Sequence, residues 1–236
     1  RALTLARAYQ KANHSVTVAS GGMPAPQLDR GDVPILQLPP VRSDGVNFTQ
    51  LLDKAGEPVS DKIMAGRTAY LLDHLARDTP DILITELFPF GRRILRDEFE
   101  TLLQAAHALA KPPLICASIR DILAPPSKPS KVTLAEALIA EFYDTVLVHS
   151  DQEVTPLEQS WPVSEILAHK LQYTGFVAPP APDQHPDTLG ANEIIVSAGG
   201  GNVGTNIFEA AMHAASEDQS PIQPEEHTGE KAPDTH

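Results

Sequence analysis

The chain has 236 residues, 42% of them hydrophobic and 21% charged, enough to bury a substantial core in one or two domains. Its formal net charge of −13 argues against nucleic acid as a default partner, because a phosphate backbone calls for a basic face. No stretch reaches the roughly eighteen apolar residues of a transmembrane segment, and the start carries no signal-peptide pattern.

Residues 1–12 carry Leu3, Leu5, Ala6, Ala8 and Tyr9 between Arg1, Arg7 and Lys11, which predicts an amphipathic helix. Ser15 to Ser20 alternates like a strand and turns at Gly21-Gly22; a second short strand spans Val33 to Leu38 and stops at Pro39-Pro40. A helix followed by a strand places the start of the chain inside a βαβ unit, with the first strand missing. A long helix is predicted over 59–78, ended by Thr79-Pro80, and Asp81 to Glu86 reads as a strand buried on both faces of a parallel sheet. The rhythm repeats with a helix over 92–110, a strand over 114–118 with its exit loop at 119–121, a helix near 132–143 and a strand over 145–149. Helical stretches near 152–160 and 162–169 precede the segment Leu171 to Val177.

Strands alternating with helices predict a doubly wound parallel α/β sheet. Residues 1–177 form its domain, and the proline-rich stretch 178–192 is a linker. A new strand at Glu193 to Val196 and a helix from Ile207 make up 193–215. The segment 216–236 holds six acidic residues against one lysine, too little apolar surface to fold, and is expected to be disordered. The single cysteine, Cys116, lies in an apolar run, which fits a reducing compartment and a small buried side chain better than a catalytic thiol.

In an open parallel sheet, ligands bind beyond the carboxyl ends of the strands. The polar residues there are Ser20 with Gly21 and Gly22, Arg42 and Asp44, Glu86, Ser118 with Arg120 and Asp121, and His149 with Ser150 and Asp151. Glu86 follows a buried strand and precedes an apolar loop, so it reads either as a general base or as a carboxylate paired with Arg92, Arg93 or Arg120. Arg120-Asp121 is either an adjacent structural pair or a clamp on an anionic or sugar ligand. His149 is either a base or a hydrogen-bonded structural residue. No Ser/His/Asp order, cysteine pair, P-loop lysine or metal-ligand spacing is present, and Trp161 and Tyr173 read as packing residues. The stretch Ser197 to Gly204, with Gly199, Gly200, Gly201, Asn202 and Gly204, follows an apolar run and precedes helical spacing; it is either a phosphate cradle or a turn that packs a helix.

Several strings together resemble a bacterial family of predicted glycosyltransferases similar to the peptidoglycan-precursor N-acetylglucosaminyltransferases. They are Arg1 to Ala6, Val16 to Gly22, Leu38 to Gly45, Thr85 to Arg93, Ser118 to Leu123, Tyr173 to Val177 and Ser197 to Gly201. The resemblance covers about residues 1–215. It implies the N-terminal half of a type-B fold, with two Rossmann-like domains holding an acceptor and a nucleotide-diphosphate sugar. It further implies no metal and no other cofactor, because helix dipoles and glycine loops neutralise the leaving diphosphate. On this resemblance Gly199, Gly200, Gly201, Asn202 and Gly204 bind the donor phosphates. Gly21, Gly22, Arg42, Asp44 and Arg120 line the acceptor side, and Glu86, Asp121 and His149 are the catalytic candidates for deprotonating a hydroxyl.

The chain departs from that family at both ends, lacking the opening strand with its glycine- and histidine-containing turn and most of the nucleotide-binding half. The expectation is therefore a truncated hexosyltransferase with little activity of its own, cytoplasmic or peripheral at the inner membrane face. The partners expected are a nucleotide sugar and a hydroxyl-bearing acceptor. The alternative is a non-catalytic Rossmann-like module that binds a small molecule or a partner protein.

Overall fold

A computed structural model describes residues 1–26, 28–43, 50–179, 193–197 and 205–217, with 181, 183, 188 and 190 singly. The chain divides into two compact units, Arg1–Pro179 and Pro180–His236.

In the first unit, helix α1 (Ala2–Lys11) leads into strand β1 (Val18–Ser20), which pairs in parallel with β2 (Ile35–Gln37). Both strands are shorter than their apolar runs suggest, since each has only the other as a partner among the described residues. Helix α2 (Asp61–Asp78) starts at Ser60, whose side chain accepts a hydrogen bond from the Ile63 amide. It stops at Thr79, which is left-handed and followed by Pro80.

A four-stranded parallel sheet follows in sequential order: β3 (Ile82–Glu86), β4 (Leu114–Arg120), β5 (Thr145–His149) and β6 (Leu171–Tyr173). Helices α3 (Arg96–His107), α4 (Pro129–Phe142) and α5 (Glu165–Ala168) make the connections. Pro129 opens α4, where the missing N–H is harmless. The core lies around the central strands: Ile115, Ala117, Ile119, Val146 and Val148 are fully buried against Leu103, Ile139, Leu157 and Leu167. Cys116 is buried too, and desolvation pushes its thiol up to about 11, keeping it protonated. The chain is thus an α/β protein with a parallel sheet flanked by helices, the Rossmann-like arrangement.

One buried ion pair ties helices α2 and α3 to the β1–β2 ladder. Arg67 of α2 donates from Nε and Nη2 to the two carboxylate oxygens of Glu98 in α3, each at 2.9 Å. Its Nη1 donates to the Gly21 carbonyl at 3.0 Å and to the Pro39 carbonyl, at the exits of β1 and β2. Both side chains are almost wholly buried.

The second unit contains helix α6 (Thr205–Glu217). The strand expected over Glu193 to Val196 is absent: residues 193–197 form no ladder, and Ile194 and Ile195 are 60% and 67% exposed. An apolar run becomes a strand only with a neighbour to bond, and no described segment offers one. The helix expected near 152–160 is also replaced. The Asp151 carboxylate accepts from the Glu153 amide at 2.8 Å and its carbonyl from the Thr155 amide at 2.8 Å, forming a turn. Only a 3-10 turn, Leu157–Gln159, follows Pro156. The helix expected over 92–110 begins with a 3-10 turn, Arg93–Leu95, after left-handed Arg92. Strand β4 runs on through Ile119 and Arg120, expected as loop. Residues 218–236 lie outside the described residues.

Candidate functional site

The register of the sheet brings four polar side chains onto one face at its carboxyl end. Glu86 pairs with Ser118 across β3 and β4, and Ser118 with Leu147 across β4 and β5. Because side chains alternate along a strand, His149 shares the face of Leu147. Leu147 pairs with Gln172, so Thr174, two residues further on, continues the row just beyond β6. A line of hydrogen bonds results. Ser118 Oγ donates to Glu86 Oε2 at 3.0 Å and lies 2.9 Å from His149 Nε2, while His149 Nδ1 lies 2.7 Å from Thr174 Oγ1.

The middle of the line is buried and its ends are open. Ser118 and His149 are each 3% exposed, whereas the Glu86 side chain is 31% exposed and Thr174 lies on the surface. Burial lowers the basicity of His149, and the nearby Arg1 guanidinium and amino group add to this while Glu86 opposes it. His149 is therefore neutral at pH 7. Arg1 forms an ion pair with Glu86 through Oε1, so the carboxylate is held on both oxygens, by a cation outside and a hydroxyl inside.

The loop after Glu86 is heavily pinned. Leu87 has φ +67°, a conformation that costs a residue with a Cβ about 1–2 kcal/mol. Its amide donates to the Ser118 carbonyl at 2.8 Å. The Phe88 carbonyl accepts from Thr85 Oγ1 at 3.0 Å and from the buried Tyr143 hydroxyl. Phe88 stacks on Phe99 with ring centres 4.5 Å apart, and Phe90 meets Trp161 edge-on at 5.1 Å. Arg93 donates to the Phe90 carbonyl at 2.7 Å and lies 5.9 Å over the Trp161 ring. A loop fixed at this many points holds the preceding carboxylate in one place.

The other candidates fall into separate groups. The Gly21 carbonyl is occupied by Arg67 and the Gly22 carbonyl accepts from Gln37 Nε2 at 3.0 Å. Arg42 is exposed and forms a bridge with Leu52. Arg120 and Asp121 pair with each other at 3.4 Å on the surface at the end of β4. Asp44 and the glycine-rich residues Gly199, Gly200, Gly201, Asn202 and Gly204 lie outside the described residues. Sequence reasoning named Glu86 and His149 but took His149 as a lone imidazole and passed over Ser118 and Thr174 as its partners. The signal was available: four strand-end polar residues of matching parity.

Among the described residues no group of three or more His, Cys, Asp or Glu side chains could hold a metal ion, and no helix is long and apolar enough to cross a membrane. The fold and this row define a parallel α/β protein of Rossmann-like build with a polar strand-end site. Comparison with family models, curated proteins and solved structures found no match.

Proposed function

We propose that the chain carries the acceptor side of a glycosyl-transfer site in which Glu86 takes the proton of an attacking hydroxyl. The observation that carries the reading is the placement of a half-exposed carboxylate at the carboxyl edge of a parallel sheet, backed by Ser118 and His149. Ligands gather at this edge in open α/β sheets, and a base must be both reachable and held in place. The acceptor hydroxyl approaches Glu86 from the solvent side, displacing or sharing the Arg1 contact. Arg120 and Asp121, at the end of β4, supply polar partners for neighbouring hydroxyls. A nucleotide-diphosphate hexose is the donor, and the glycine-rich stretch Gly199 to Gly204, outside the described residues, is the sequence candidate for its diphosphate. As the hydroxyl oxygen bonds to the sugar carbon, its proton passes to Glu86 and the diphosphate departs with the electron pair of the broken bond.

Calorimetry on the 236-residue chain separates this reading from a non-catalytic module. Titration with simple hexosides should give binding that weakens at least several-fold in Glu86→Gln. UDP- and GDP-hexoses then report whether the donor side is functional in this chain. Binding of hexosides that is indifferent to Glu86→Gln, or no binding of any saccharide, would overturn the assignment.

A further inference from the structure

We propose that Ser118, His149 and Thr174 form a proton wire that connects Glu86 to solvent at the β6 edge of the sheet. The argument is a count of hydrogens. Ser118 has one hydroxyl hydrogen and two close neighbours, Glu86 Oε2 at 3.0 Å and His149 Nε2 at 2.9 Å. An ionised carboxylate can only accept, so with Glu86 charged the Ser118 hydrogen points to Oε2. His149 Nε2 must then carry a hydrogen and donate it to Ser118 Oγ. His149 Nδ1 is left bare and accepts from Thr174 Oγ1 at 2.7 Å. Every hydrogen along the row points toward Glu86.

With a proton on Glu86 Oε2 the same row has one other consistent arrangement, in which Oε2 donates to Ser118, Ser118 to Nε2 and Nδ1–H to Thr174. Thr174 can then donate to the Gly175 carbonyl, 3.1 Å away. The alternative of placing the proton on Oε1 is opposed by the Arg1 guanidinium that already donates there. One concerted step interconverts the two states. Oε2 gives its proton to Ser118, Ser118 gives its own to Nε2, Nδ1 gives its own to Thr174, and Thr174 releases one to water. Ser118 Oγ and Thr174 Oγ1 each gain one hydrogen and lose one, and the His149 ring gains one at Nε2 and loses one at Nδ1. The net change is one proton moved from Glu86 to solvent, and His149 changes tautomer from Nδ1–H to Nε2–H.

This rests on the reading of Glu86 as the reacting carboxylate and adds a route, through the row to Thr174, by which that carboxylate exchanges a proton with solvent without passing the substrate. Ser118 and His149 are on this account positioning residues. The wire itself rests only on the hydrogen-bond geometry of the row and can be tested whether or not sugar transfer occurs. The charged groups that bear on it are Arg1 and its amino group at the mouth and the Arg120–Asp121 pair at the end of β4, where Arg120 pairs with His149 in the sheet register.

The test follows the two imidazole nitrogen shifts of His149 by NMR in the full chain, from about pH 7.5 to about pH 4, a range that spans the ordinary Glu and His values. His149→Asn identifies the resonances among the nine histidines. The wire predicts Nε2–H at neutral pH, then shifts of the two nitrogens in opposite directions as the row takes up a proton at lower pH, with Thr174→Val and Ser118→Ala each abolishing the exchange. Two nitrogens moving together toward the imidazolium value, or no tautomer change over this pH range, would overturn it. The wild-type measurement decides the matter even if a variant fails to fold.

Discussion

Two polar networks cross the interior of the first unit, and they differ in what they leave open. In the Arg67–Glu98 pair every contact is made: two donors to the carboxylate, two carbonyls taken up by the remaining nitrogen, and both side chains out of reach of water. The Glu86 row has equally good geometry, but its hydrogens admit two consistent arrangements and its ends reach solvent. The first network fixes the β1–β2 ladder and helices α2 and α3 relative to one another. The second can gain or lose a proton without stranding a buried charge. A closed network is a fastening; a network with one movable proton and an open carboxylate is equipped for chemistry.

The largest effect should come from breaking the closed network. Arg67→Met strands the Glu98 carboxylate in the core, which costs about 3–5 kcal/mol, read as a lowered urea midpoint; the double variant with Glu98→Leu should recover much of it. Gly21→Ala comes next, because a Cβ there would sit 2.6 Å from Arg67 Nη2. Displacing that guanidinium should cost about 1–3 kcal/mol, in the range of core overpacking. If Gly21→Ala left stability unchanged, the tie between β1 and α2 would be looser than described.

Ser118→Ala should be milder, about 1–2 kcal/mol for an imidazole N–H left without its partner, while uncoupling His149 from Glu86. His149 also gives the fold a pH dependence. Its basicity is lowered in the folded chain by burial first and by the Arg1 charges second. The unfolded chain takes up that proton below about pH 6.5, while the folded chain resists until lower pH. The unfolded state then binds more protons, so the stability present above about pH 6.5 is lost as pH falls through the depressed folded value. Urea midpoints measured across that window should fall with pH in the native chain and fall less in His149→Asn. The smallest effect concerns Cys116: with its thiol pushed up to about 11, it should react slowly with thiol reagents at pH 8 until urea exposes it.

Much of this architecture was legible from local pattern. The apolar runs of β3, β4 and β5 and the Thr79-Pro80 stop each act over a few residues, so the sequence displays them directly. Their position at the carboxyl ends of apolar runs likewise put Glu86 and His149 at the edge where ligands gather. The pairing of Arg67 with Glu98 was not legible, because an arginine inside a helical pattern reads as surface and its partner lies 31 residues away. The row hid for the same reason: Ser118 and Thr174 are separated from His149 by 31 and 25 residues, and only the sheet register brings them together. At 193–197 the opposite error arose, since an apolar run says nothing of whether a neighbouring strand exists.

The most direct test of Glu86 as the mouth of a hydroxyl-accepting site is a saccharide titration followed residue by residue in NMR spectra of the full chain. The account predicts shifts centred on Glu86, Ser118, His149 and Arg120, weakened in Glu86→Gln, with the Arg67–Glu98 region unmoved. Shifts confined to other surfaces, or none at saturating saccharide, would contradict it.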